Sequence, residues 1–157
     1  MALTYLYDSK NYDTTKLVPK PGRPYTAPTG LDGDSFSVTI TTAALADVGS
    51  GAYLVPVPAG KLPLLYVFTC DDLDSGTALA ANLAWRTVDK NGTITDVALF
   101  TGASAFQAAQ SKVLNFVTDG TRLGRGADGM AHLVFVVTTP AQTPAQGVLS
   151  GMVIWHG

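Results

Sequence analysis

Residue types that carry chemistry are sparse in this chain. It has two histidines, His132 and His156, and one cysteine, Cys70. Neither histidine has a neighbour at metal-ligand spacing, and the three make no sequence pattern for zinc or for a nucleophile with its base. A Cys70–histidine pair depends on the fold bringing the two together, and a cysteine in an apolar strand is more often a small hydrophobe. All twelve acidic residues are aspartate. A glycosidase would need two of them facing each other across a cleft, but they gather at turns. Asp71, Asp72 and Asp74 could offer oxygens to calcium, yet their loop lacks EF-hand spacing. Gly124-Arg125-Gly126-Ala127-Asp128-Gly129 matches G-x-G-x-x-G. The dinucleotide fingerprint needs a helix after it, so that phosphate meets a helix N-terminus. A strand pattern follows here, which leaves a glycine-rich loop whose Arg122 and Arg125 are candidate partner contacts. Trp85 and Trp155 could stack a sugar, but each sits in an alternating strand where core packing is the better reading. No set of residues asks for an enzyme, a cofactor or a metal.

The elements that would position these residues are strands. Thr77–Phe100 reads as a hairpin about Asp89-Lys90-Asn91-Gly92, because Asn-Gly tolerates the positive φ of hairpin turns. Leu79, Ala81, Leu83 and Trp85 fall on alternate positions, a period of two. Phe36, Val38 and Ile40 alternate in the same way from Ser35. Thr42–Asp47 predicts one helical turn, with Thr42 able to cap it. Ala52–Val57 is a strand whose Pro56 and Pro58 mark an edge or an end. Leu64–Cys70 is apolar on both sides, as in a central strand between two covered faces. Ser104–Ser111 is alanine-rich and predicts the one short helix. Val113–Val117, Ala131–Thr138 and Gly147–Trp155 complete eight strands. The fold class is therefore all-β, an eight-stranded antiparallel sandwich of jelly-roll type, with an immunoglobulin-like sandwich as the alternative.

Hydrophobic residues make up 46% of the chain, which excludes a disordered protein, and the net charge of −2 gives no bulk attraction to nucleic acid. No apolar run reaches the length of a membrane span. The N-terminus lacks a basic-then-apolar leader, so the chain is expected to fold in a cytoplasm.

Residues 1–34 differ from residues 35–157, the expected sandwich domain. Pro19, Pro21, Pro24 and Pro28 bias the first stretch toward an extended arm. Tyr5, Tyr7, Tyr12 and Tyr25 are four of the six tyrosines, beside Lys20 and Arg23. A free linker is poorer in aromatics. These residues are expected to dock the arm on something: its own domain, a neighbouring copy or another protein.

The run Ala52–Gly60 (AYLVPVPAG), the apolar strand Leu64–Cys70, the turn Asp71–Gly76 and the long hairpin after it resemble small structural proteins of tailed bacteriophages, of the capsid decoration or cement type. The resemblance spans residues 35–157, with the arm as an addition. It implies a sandwich, often a jelly roll, that binds the outside of a shell and stabilises it without catalysis, with arms stitching neighbouring capsomers. The implied partners are the major capsid protein and neighbouring copies of the chain. A homotrimer is expected, or else a dimer, with no nucleic acid and no membrane. The implied location is the virion surface, after assembly in the host cytoplasm. No site residue carries over from the resemblance. Two other readings stay open: a receptor- or carbohydrate-binding module of a tail spike or fibre, which needs an exposed aromatic shelf, and a head–tail or tail structural protein, which would form rings.

Overall fold

The computed structural model describes residues 2–13, 15, 18–19, 31–102, 105–115 and 122–156. Eight strands build the sandwich: β4 (Leu31–Ile40), β5 (Gly51–Pro58), β6 (Leu62–Cys70), β7 (Ala80–Val88), β8 (Ile94–Gly102), β9 (Gln110–Asn115), β10 (Met130–Thr139) and β11 (Gly147–His156). One sheet runs β5-β10-β7-β8 and the other β4-β11-β6-β9. Counted from β4, that is second-seventh-fourth-fifth facing first-eighth-third-sixth, the strand order of a jelly roll. Three short strands precede it: β1 (Tyr5–Tyr7), β2 (Tyr12–Asp13) and β3 (Val18–Pro19). β1 adds to the first sheet, parallel to β5, while β2 and β3 pair with each other.

The alternations place the core as expected. Leu79, Ala81, Leu83 and Trp85 are buried, as are Phe36, Val38 and Ile40 from the facing sheet. Phe68, Phe100, Phe106 and Phe135 meet ring to ring at centroid distances of 5.1–6.2 Å. The hairpin turn forms at Asp89–Gly92: Gly92 takes φ +82°, and Asp89 Oδ1 accepts from the Asn91 and Thr93 N–H groups at 2.8 Å each. β5 is the edge its prolines predict, since β1 covers only Gly51–Tyr53 and leaves Pro56 and Pro58 paired on one side. 

Three expectations need correction. Ala105–Ala109 is turn and bend, not helix, and β9 begins at Gln110. Local alanine propensity loses to packing there. Phe106 is wholly buried, its carbonyl accepts from Leu73 N–H, and the Gln107 amide donates to Leu79 O. The turn at Thr42–Leu45 is 3-10, preceded by Thr41, with no side-chain cap. Finally, the paired backbone of β4 starts at Leu31, not Ser35, because β11 pairs with it as far as His156.

Candidate functional site

Among the described residues, the outer face of the β5-β10-β7-β8 sheet carries a cluster of polar and aromatic side chains, onto which the N-terminal segment folds. In β1, Tyr5 and Tyr7 alternate with Leu6, so the tyrosines face outward while Leu6 packs on the core. Tyr7 stacks on Tyr53 at 4.8 Å, and Tyr5 meets the same ring edge-on at 5.7 Å. Burial, with Tyr53 and Tyr5 alongside, pushes the Tyr7 hydroxyl above its ordinary pKa.

Past β1 the chain crosses the side of the sandwich between β5 and β4. Asp8 and Asn11, both buried, make the crossing possible. The Asp8 carboxylate accepts from Ser37 N–H at 3.0 Å, Lys10 N–H at 2.8 Å and the Asn11 amide at 3.1 Å. That amide also donates to Ser35 O and Leu54 O, one carbonyl on each of the two sheets. At the rim, Lys10 bonds the Ser35 hydroxyl and pairs with Asp34.

Tyr12 then turns back onto the outer face and is 1% exposed. Its hydroxyl lies 2.9 Å from His132 Nδ1, and His132 Nε2 lies 2.7 Å from Asp128 Oδ2. A carboxylate only accepts, so Nε2 carries the proton and Nδ1 accepts from the tyrosine. Burial holds the His132 pKa below its ordinary value, with Arg86 adding to this and Asp128 opposing it. Arg86 itself is buried. It donates twice to Asp96, at 2.8 and 2.7 Å, and lies 5.5 and 5.6 Å from the centroids of Tyr5 and Tyr53. Burial opposes its charge, but the Asp96 bonds outweigh that and raise its pKa.

The Tyr12–His132–Asp128 chain resembles a relay in connectivity only. With Tyr12 and His132 both buried, no substrate reaches the hydroxyl, so the arrangement works as a latch between the arm and β10.

The candidate residues divide as follows. Tyr5, Tyr7 and Tyr12 come together against the chain's own sheet. Tyr25, Lys20 and Arg23 lie outside the described residues. Arg122 donates to Gly60 O at 2.7 Å, and Arg125 is exposed in the glycine loop. That loop folds back on itself, with Gly129 N–H donating to Gly126 O, and leads into β10. Asp74 is wholly buried and accepts from five backbone N–H groups, those of Gly76, Ala78, Leu79, Gln142 and Thr143. Burial opposes its charge, yet these donors outweigh that and hold its carboxyl at about 2. Asp71 accepts from Val148 N–H at 2.7 Å, so the aspartate turn clasps neighbouring loops. Among the described residues, no three His, Cys, Asp or Glu side chains are placed to hold a metal ion. Among them too, no helix is long and apolar enough to cross a membrane. Cys70 lies inside the core and His132 on an outer face, while His156 pairs at Leu62, the far end of β6. Both indoles, Trp85 and Trp155, are buried and offer no sugar shelf.

Sequence reasoning passed over Asp8, Asn11 and Arg86, and weighed Asp74 only as a calcium ligand. Only one of these had a legible signal: a hairpin turning at Asn91 sets Arg86 opposite Asp96.

No protein-family model matches the chain, and no curated relative is found by sequence. Solved structures do match the fold. A chain from the capsid of Ralstonia phage GP4 superposes with a TM-score of 0.66 at 14% identity, covering 98% of this chain and 97% of that one. A chain from the capsid asymmetric unit of cyanophage Pam1 gives 0.53 at 18% identity, covering 92% and 96%.

Proposed function

We propose that the chain is a structural protein of a tailed-phage virion, a decoration or cement subunit that binds the outer shell and bridges neighbouring capsid subunits. The observation that carries this reading is the near-complete mutual coverage with the two capsid chains: each neighbour is this same jelly roll over almost its whole length. The site supports it from another side. The polar clusters described above are consumed in holding the arm and loops in place, so binding suits the molecule better than catalysis. A subunit that favours the assembled shell over its separated parts stabilises the shell by mass action. Repetition over many sites supplies avidity without any single tight contact. Burial of both indoles weighs against the carbohydrate-module alternative.

In this reading Tyr5, Tyr7 and Tyr12 anchor the start of the arm on its own domain, and contact with the shell falls to Lys20, Arg23 and Tyr25. Co-sedimentation with mature shells tests it. The wild-type chain pellets with shells. The triple variant Lys20→Ala, Arg23→Ala, Tyr25→Ala keeps its melting temperature and binds at least tenfold more weakly. If the wild-type chain stays in the supernatant, the decoration reading fails. If the triple variant binds like wild type, the arm assignment fails.

A further inference from the structure

Among the described residues, nothing covers the outer face of the second sheet in this way. Register and alternation put Ser35, Ser37 and Thr39 of β4 on it, beside Val148, Ser150, Met152 and Ile154 of β11 and Leu65, Val67 and Thr69 of β6. None of these is charged. Among the described residues the nearest charges lie at one corner, where Lys10 and Asp34 pair with each other beside Asp32. Met152 and Val148 are 42% and 40% exposed. Beside Met152, a shallow hollow of about 460 Å³ is lined by Asp32, Gly33, Ser35, Ile154 and the Lys10–Asp34 pair. β6 is apolar on both sides, the pattern of a strand covered on both faces, yet Leu65 and Val67 are only half-buried.

We infer that this face is a self-association surface, covered by the same face of a second copy across a two-fold axis. Three observations favour a second copy as the occupant. Among the described residues, charge on this face is confined to the corner of Lys10, Asp32 and Asp34, so the rest offers an oppositely charged partner nothing to match and costs little to desolvate against itself. Side chains of mixed size, with Met152 and Val148 beside Ser37, Ser150 and the hollow, suit an isologous contact in which large meets small. Area suffices: four strands at about 4.8 Å spacing and about eight residues at about 3.3 Å give a face on the order of 500 Å². Two copies bury about 1,000 Å², the level a specific interface needs. The pairing is two-fold, in place of the trimer that the phage resemblance implies.

Sedimentation velocity across about 1–200 μM tests this with no shell present, so its failure and the failure of the decoration reading are separate results. The wild-type chain is a dimer in the upper part of that range. Met152→Lys and Val148→Lys, both at exposed positions, are monomers or dissociate at least tenfold more readily, with the unfolding of the monomer at low concentration unchanged. Val97→Lys, on the exposed edge strand β8, remains dimeric. A wild-type monomer throughout, a trimer, or a dimer indifferent to both face variants overturns the inference.

Discussion

The two outer faces of the jelly roll teach most when set side by side. Both belong to four-stranded antiparallel sheets over one core, yet they are finished by opposite means. The β5-β10-β7-β8 face carries Arg86, Asp96, His132 and Tyr53, and the chain's own N-terminus closes over it. The β4-β11-β6-β9 face carries aliphatic and hydroxyl side chains with charge only at one corner, and no described part of the arm closes over it. Polar groups on the first face need partners with fixed geometry, which a tethered arm supplies at little entropic cost. A face with charge only at one corner needs little more than a surface of matching shape, and a separate molecule can bring one.

The sharpest way to break this comparison is at Arg86. Arg86→Ala removes two charge-assisted hydrogen bonds to the partly exposed Asp96, two cation–π contacts and the packing of a large buried side chain, so it lowers stability by about 3 kcal/mol in urea unfolding. Thr69→Ala, on the open face, shifts it by no more than about 0.5 kcal/mol. Equal losses at the two positions would erase the distinction. Asp8→Ala comes next, at about 2–3 kcal/mol, because it takes the acceptor from the Ser37 and Lys10 N–H groups and one of three acceptors from the Asn11 amide at the crossing. Faster deuterium uptake at residues 5–12 accompanies that loss if the crossing is what pins the arm. Tyr12→Phe removes one neutral hydrogen bond and costs about 1 kcal/mol.

Acidity probes the same latch. A His132 pKa held below its ordinary 6.5 means that the unfolded chain binds the extra proton first. Stability is therefore full above about pH 6.5 and is lost as pH falls from there toward the folded pKa. His132→Gln flattens that part of the profile, whereas an unchanged slope in the variant would show that other groups cause it. The smallest effect belongs to the open face, where Met152→Lys leaves the unfolding midpoint of the isolated chain within about 0.5 kcal/mol of wild type.

Much of the architecture is legible in the residues. Period-two alternation at Phe36–Ile40 and Leu79–Trp85 marks strands and their inward faces, and Asn91-Gly92 marks the hairpin. Strand order is a long-range property that alternation does not carry, so the jelly roll was one option beside an immunoglobulin-like sandwich. The predicted helix at Ser104–Ser111 failed because alanine propensity is worth tenths of a kcal/mol per residue, less than the burial of Phe106. In the arm, the tyrosines announced docking but not its target. Tyr12 and His132 are 120 positions apart, and nothing local to either residue names the other. Arg86 and Asp96 were legible in principle, since hairpin register links them. The apolar outer side of β6 was read as covered, and among the described residues of one copy Leu65 and Val67 are only half-buried.

Hydroxyl-radical footprinting of the wild-type chain at low and high concentration tests the contrast directly, because Met152 reports the open face and Tyr7 and Tyr12 report the arm. The account predicts that Met152 oxidation falls several-fold as concentration rises through the micromolar range while labelling of the tyrosines stays constant. Met152 oxidation independent of concentration, or tyrosine protection rising in step with it, would contradict the claim that one face is closed by the chain itself and the other by a second molecule.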